Sequence, residues 1–388
     1  MGAVEIKGLY YITHIDNLPS MLERGILSHG LIESEGIKYT RIYDKEIVVN
    51  RKSILTPDGR NLWSFANLYF NPRNPMLYRV KFEKSVDNIA VVCASPNILQ
   101  RSDIFITTGN ASASLSVILP KDKGMKALPR IKREFDIVWW NSADGSKRRI
   151  MAECLVPNMV PPEFIQAVYV ANHEVKDKVK RLLRGSQVPI IPEPNWFFIP
   201  SWRSRLTQRL VLVRGDMFLS EMQILTISVN CVGVMGKGLA SRTKYQFPDV
   251  YVVYQDVCRK RQLKMGKPYL YKRESSLDYE LADEPASLSS MNAAKWFLLF
   301  PTKNHWRERS DIAGIKEGLQ WIQSNYEKQG MRSLAVPALG CGLGQLEWQD
   351  VGPLMCRYLS ALDIQVAIYL PREKKVSEEL LSSDFLLR

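Results

Sequence analysis

The sequence predicts two domains of different class, a mixed α+β domain over residues 1–207 followed by an α/β domain over 208–388. Three observations lead there. The chain has 388 residues, well beyond the ~150 that a single domain commonly holds. The stretch Gly185 to Arg209 (GSQVPIIPEPNWFFIPSWRSRLTQR) carries four prolines and no stable apolar period, and proline restrains both its own φ and the residue before it. Beyond that stretch the texture changes to short apolar runs alternating with amphipathic segments, the rhythm of a buried, largely parallel sheet.

In the first domain a helix is expected near 16–26, with Asp16 or Asn17 as its cap. Short strands follow at 77–83, 87–93, 137–140 and 166–170, with helices near 127–134 and 174–184. The run Tyr69-Phe-Asn-Pro-Arg-Asn-Pro-Met-Leu-Tyr78 reads as a turn into a strand. In the second domain strands are expected at 209–214, 223–229, 296–300, 333–337 and 365–370. Helices fall between them, at about 237–246, 249–262, 309–328 and 349–362.

Composition narrows the function. Hydrophobic residues make up 46% and charged residues 24%, the balance of a core-forming globular chain rather than a disordered or collagen-like one. No window reaches the ~18 uninterrupted apolar residues of a membrane span, and the amino terminus lacks the layout of a secretory signal, so a cytoplasmic protein is expected. The six cysteines (93, 154, 231, 258, 341, 356) and four histidines (14, 29, 173, 305) are scattered without ligand spacing, so neither a disulfide framework nor a metal is expected. The 53 Lys+Arg against 40 Asp+Glu give a formal charge of +13. Most of the excess lies in the first 210 residues, which points that half toward a polyanion, with plain solubility as the alternative.

Two glycine-rich turns carry the clearest chemistry. Asn230-Cys-Val-Gly-Val-Met-Gly-Lys-Gly-Leu-Ala240 lies between an expected strand and a helix start, and Pro337-Ala-Leu-Gly-Cys-Gly-Leu-Gly344 follows another strand. Such turns expose backbone N–H groups, and a helix amino terminus adds a positive dipole end, so together they suit a diphosphate. Neither matches GxGxxG or GxxxxGK[ST], which argues against a dinucleotide fold or a P-loop ATPase. In the first domain, Glu153 stands in the apolar run RRIMAECLVP. A buried carboxylate needs a purpose, either chemical or as the partner of a nearby arginine.

GDMFLSEMQILTISVNCVGVMGKGLA, LFPTKNHWRE and VPALGCGLGQLEW resemble the motifs of macrodomains, the ADP-ribose-binding fold, and more narrowly the DarG antitoxin branch, which removes ADP-ribose from DNA bases. The resemblance covers 209–371. It implies that Asp216 and Met217 meet the adenine and that Asn230 faces the distal ribose. Gly236, Lys237, Gly238 and Leu239, with Gly340, Cys341, Gly342, Leu343 and Gly344, would cradle the diphosphate. Lys303 would be catalytic, a surface or phosphate-facing cation being the plainer alternative; a desolvated lysine can lose its proton and attack an anomeric carbon. A related hydrolase branch has an acidic residue where this chain has Gly344.

YYITHIDNLPSMLERGILS, YFNPRNPMLY, ITTGNAS and RRIMAECLVP resemble the DarT family, which transfers ADP-ribose from NAD to a base in single-stranded DNA. That resemblance spans about 7–200 and implies an ADP-ribosyltransferase-like split β-sheet ahead of a three-layer α/β/α macrodomain. Thr13, His14, Asn17 and Tyr69 would line the NAD site. Glu153 would be the catalytic glutamate and Arg51 the catalytic arginine, with Arg41 and Arg60 as alternatives. The chain departs from the family at Tyr11, commonly His, and at Thr108, often Asp. The basic charge would hold the DNA backbone, and Trp63, Tyr69 and Trp139 are available to stack an unpaired base.

The expected protein is thus a writer and an eraser on one chain, with NAD as substrate, no metal, and single-stranded DNA, ADP-ribosylated DNA and ADP-ribose as ligands. A macrodomain that only reads the mark, or a transferase acting on RNA or protein, is the alternative. DarG proteins often carry a further carboxy-terminal region that binds the toxin. Since this sequence stops at Arg388, restraint by enzymatic reversal is expected.

Overall fold

The computed structural model describes residues 5–42, 50–137, 139–276, 281–283, 295–371 and 374–388. The chain folds as two compact units, Met1–Phe198 with Asp278–Ser290, and Ile199–Leu277 with Met291–Arg388. The division falls at 198/199 instead of the expected 207/208. Its cause is a strand, Trp202–Arg205, that pairs antiparallel with Val211–Arg214 and so belongs to the second unit.

Among the described residues, ten strands belong to the first unit: β1 (Leu9–His14), β2 (Ile26–Leu27), β3 (Phe65–Tyr69), β4 (Ile89–Ala94), β5 (Phe105–Thr107), β6 (Ile118–Pro120), β7 (Glu153–Pro157), β8 (Met159–Val160), β9 (Ile165–Val170) and β10 (Ile190–Pro192). Eight form one sheet in the order β10–β9–β4–β1–β3–β7–β5–β6, and β2 pairs with β8. All six residues of β4 are buried, as expected of a strand covered on both faces. β1 and β3 meet through a single register pair, Tyr10 opposite Tyr69, so the sheet is split there in all but one rung. On the other side of β3, Tyr69 lies opposite Glu153 of β7.

Among the described residues, two expected strands are absent. Residues 77–83 lie in a helix, α1 (Pro75–Glu83). Asn74 caps it through Oδ1, which accepts from the Leu77 N–H at 3.1 Å, and Pro75 occupies the first turn, where its missing N–H costs nothing. The Asn-Pro pair is therefore a helix start and not a turn into a strand. At 137–140 the described residues form no strand, and Val138 lies outside the described residues. The helix expected near 16–26 is shorter, Leu18–Arg24 after a 3-10 turn, and it stops where Gly25 adopts φ 91°.

Residues 281–283, distant in sequence, complete this unit. Leu281 and Ala282 are buried, and the Trp140 Nε1–H donates to the Leu281 carbonyl at 3.0 Å. Arg79, 2% exposed, donates from Nε to Asp283 Oδ1 at 2.6 Å and from Nη1 to Glu83 at 2.9 Å. A buried guanidinium without such partners would carry a full desolvation cost. Leu281→Ala is expected to lower the unfolding free energy by about 2–4 kcal/mol, read by denaturant unfolding of the full chain. A loss within ~0.5 kcal/mol, the surface-substitution range, would show that the residue is not part of the core.

Seven strands form the sheet of the second unit: β11 (Trp202–Arg205), β12 (Leu210–Arg214), β13 (Ile224–Asn230), β14 (Tyr269–Tyr271), β15 (Trp296–Lys303), β16 (Ser333–Pro337) and β17 (Gln365–Tyr369). Their order is β11–β12–β17–β16–β13–β15–β14, with the five central strands parallel and the two edge strands antiparallel. The connecting helices are α2 (Gly238–Gln246), α3 (Pro248–Arg259), α4 (Ile312–Asn325) and α5 (Trp348–Leu359). Their apolar faces, Ile315, Leu319 and Ile322 of α4 and Val351, Met355 and Leu359 of α5, join the strand residues in one buried cluster.

Candidate active sites

In the first unit, Glu153 opens β7 and is fully buried. Three interactions fix it. Its Oε2 accepts from Arg51 Nη2 at 2.6 Å, its Oε1 accepts from the Ala111 N–H at 2.8 Å, and its own N–H donates to Thr107 Oγ1 at 2.8 Å. Arg51 is 14% exposed, and with its amide oxygen turned to the guanidinium Asn67 accepts from Nε at 3.2 Å. Burial acts to lower the Arg51 guanidinium, but Glu153 and Tyr69 outweigh it and hold the group charged, above its ordinary value. The salt bridge that offered a plain reading of Glu153 exists, and its partner is the other residue singled out for catalysis. Arg60 is instead paired with Asp58, and Arg41 lies over the Tyr39 ring.

Tyr69 is 7% exposed and its hydroxyl faces Met76 Sδ at 3.2 Å. Burial raises its phenol well above the ordinary range, and Glu153 adds to the rise. Burial also raises Tyr11 to about 12, with the nearby Arg51 acting the other way. Tyr69 and Tyr11 lie within electrostatic reach of Arg51, and the other three expected NAD-site residues make local hydrogen bonds. Asn17 Nδ2 donates to Thr13 Oγ1 at 3.1 Å and to the Thr40 carbonyl at 2.8 Å, and its Oδ1 accepts from the Thr40 N–H at 2.8 Å. That amide clamps the chain at Thr40 to the end of β1 and makes no helix-cap bond. Thr13 is buried in this clamp. His14 caps the 3-10 turn, Nδ1 accepting from the Asp16 N–H at 3.2 Å; burial lowers its pKa, and the charges that reach it are Asp16, Lys178 and Lys84. Trp63 stacks on His29 and donates to Glu33, so its ring is held by neighbours.

In the second unit a cleft of about 860 Å³ opens at the carboxyl ends of β13, β15, β16 and β17, where ligands bind in open α/β sheets. Eleven of the twelve residues expected to bind ADP-ribose line it: Asp216, Met217, Asn230, Gly236, Lys237, Gly238, Leu239, Gly340, Gly342, Leu343 and Gly344. Cys341 is not among them. Its side chain is buried, with Sγ directed at the Leu339 carbonyl, because the turn points that side chain into the core. Asp216 accepts from Arg242 Nη1 with both oxygens at 2.8 Å and from the Phe218 N–H at 3.1 Å. Asn230 Oδ1 accepts from Val232 N–H, Val234 N–H and Tyr254 O–H, so this side chain shapes the first glycine loop as well as lining the cleft.

Lys303 ends β15 opposite Asn230, where the register slips by one residue beside Pro301, which has no N–H to give the ladder. Nζ donates to the Glu308 carbonyl at 2.8 Å. Partial burial lowers the ammonium pKa, and Glu308 opposes this. Around it the sequence reading missed Trp306 and Arg307, which also line the cleft; the exposed Trp306 ring offers a stacking face at the rim. It also missed Ser310, 6% exposed beneath the second glycine turn. Gly340 there has φ 73°, and a Cβ would come within 2.7 Å of Leu346 Cδ1. A Cβ at Gly344 would collide with Ser310 Oγ, so the acidic residue of the related hydrolase branch has no room here. Among the described residues no group of three or more His, Cys, Asp or Glu could hold a metal, and no helix is long and apolar enough to cross a membrane.

Both units have counterparts among known proteins. The family model described as ssDNA thymidine ADP-ribosyltransferase, DarT, matches residues 10–198, and the Macro domain model matches 284–355. A DNA ADP-ribosyl transferase-DNA ADP-ribosyl glycohydrolase fusion protein of Thermosipho africanus is 57% identical over 98% of this chain and 98% of its own. A solved structure, Thermosipho africanus DarTG in complex with ADP-ribose, superposes with TM-score 0.93 at 56% identity, covering 98% of this chain and all of that one. A DNA ADP-ribosyl glycohydrolase of Thermus aquaticus is 32% identical over 44% of each chain. The likeness is thus continuous from the split sheet through the glycine-turn cleft, and the chain belongs to the family of DarT–DarG fusion proteins, with a DarT-like transferase unit and a macrodomain.

Proposed function

We infer that the first unit attaches ADP-ribose to a DNA base and that the second hydrolyses that linkage. As a DarT–DarG fusion the chain is a DNA ADP-ribosyl transferase joined to a DNA ADP-ribosyl glycohydrolase. NAD is the donor and single-stranded DNA the acceptor in this reading. The description of the matching family names thymidine, which favours thymine over guanine.

The buried Arg51–Glu153 pair carries the reading. As the nicotinamide C–N bond breaks, nicotinamide leaves with the electron pair and the ribose becomes cationic; a carboxylate at Glu153 stabilises that charge and takes the proton from the attacking base nitrogen. Arg51 orients the carboxylate and neutralises phosphate. In the second unit the neutral Lys303 amine attacks the anomeric carbon, the base departs with the electron pair of the broken C–N bond, and the proton shed by the attacking nitrogen passes to the base. Water then replaces the lysine and frees ADP-ribose. An amine placed in the cleft favours an eraser over a reader.

The test uses the full-length chain carrying Lys303→Ala, so that product is not removed. With NAD and a thymidine-containing single-stranded oligonucleotide, mass spectrometry should find one added ADP-ribosyl group. No adduct overturns the transferase reading, and an adduct on an oligonucleotide lacking thymidine overturns the choice of base.

A further inference from the structure

Among the described residues, three buried side-chain atoms have no hydrogen-bond partner: Arg214 Nη2, Thr226 Oγ1 and Ser310 Oγ. Of these residues only Ser310 lines the cleft. A buried hydroxyl is normally satisfied, since leaving it without a partner forfeits the hydrogen bonds it made to water. Its surroundings keep it in place. The Ser310 N–H donates to the Gly344 carbonyl at 3.0 Å, and the next residue, Asp311, donates its N–H to the Thr302 carbonyl at 2.8 Å. Ser310 is therefore tied on one side to the second glycine turn and on the other to the strand residue that precedes Lys303. Its Oγ lies against the second glycine turn, where it and the Gly340 carbonyl both fill the space that a side chain at 344 would need.

We propose that Ser310 is a ligand-binding residue of the glycohydrolase site, its hydroxyl donating to an oxygen of ADP-ribose in the distal half of the molecule, between the second glycine turn and Lys303. This rests on the reading of the cleft as the ADP-ribose site. In the free protein the hydroxyl is buried against the glycine turn; by rotating about χ1 toward the cleft it is completed by the ligand, so the group costs stability before binding and contributes affinity after it. Such a group favours ligands that present an oxygen acceptor at that point over those that do not.

The two halves of that statement have opposite signs in one experiment. Ser310→Ala in the full chain removes an unsatisfied polar atom and should leave the melting temperature unchanged or raised. It should also weaken ADP-ribose binding about 3–10-fold by calorimetry, the range of one hydrogen bond. Ser310→Cys, close in size but a weak donor, should behave as the alanine variant does. Unchanged ADP-ribose affinity in the alanine variant overturns the proposal. So does weaker binding accompanied by a lowered melting temperature in both variants, which marks a packing role. Absence of ADP-ribose binding by the unsubstituted chain would instead refute the reading of the cleft, so the two failures are separable.

Discussion

Glu153→Gln, made in the full chain together with Lys303→Ala, is expected to lower ADP-ribose transfer from NAD by about 10²–10⁴-fold, the usual worth of a positioned general acid or base. Glutamine keeps the shape of the side chain and can still accept from the Ala111 N–H, so the geometry at Oε1 is retained. What it lacks is the charge that opposes the developing ribose cation and the basicity that takes the proton. The same change leaves Arg51 without its counter-charge in a largely buried place, and a stability loss of about 1–3 kcal/mol should accompany it. Transfer rate is measured as adduct formed per unit time on a single-stranded oligonucleotide, with unfolding followed in parallel. Transfer within a factor of ~3 of the Lys303→Ala parent would remove Glu153 from the chemistry, for that is far below the general-base range.

Lys303→Ala alone is the second large effect. Removal of ADP-ribose from modified DNA should fall at least ~10²-fold, because the nucleophile is gone, while ADP-ribose affinity changes little. The lysine amine is engaged with the Glu308 carbonyl, and the glycine turns supply the bulk of the lining. The pH dependence follows from the direction of the shift. Burial lowers the Lys303 pKa, so at any given pH more of it is neutral than of an exposed lysine. Attack needs the neutral amine, hence removal by the unsubstituted chain should climb with rising pH and level off above the Lys303 pKa, with its inflection below the ordinary lysine range. A profile flat across about pH 6–10, or removal by the alanine variant near the original rate, would eliminate this amine as the nucleophile.

The second unit was the more legible from the residues. Its central strands are mostly buried on both faces, so they read as largely apolar runs, and the glycines between strand and helix mark the cleft. The three-residue edge strand β14 and the strand β11, with its alternating burial, left no comparable trace. In the first unit Glu153 stood out because a carboxylate in an apolar run demands a partner, but the identity of that partner, Arg51, is set by folding across a hundred residues of sequence. Asn17 was noticed for the right reason, its polarity next to a helix start, yet its side chain turns to Thr40, a contact no local pattern announces. Ser310 escaped for a similar cause. A lone serine before a helix looks like a cap, whereas here Asp311 caps α4 and the serine hydroxyl faces the glycine turn.

The placement of Leu281 and Asp283 has a genetic corollary. A premature stop codon or frameshift between residues 208 and 280 deletes the enzyme that repairs DNA, and with it the leucine that fills the writer's interior and the aspartate that neutralises Arg79. Such a truncation is therefore expected to destabilise the transferase unit as well as to remove the hydrolase, so the two activities are linked at the level of the gene.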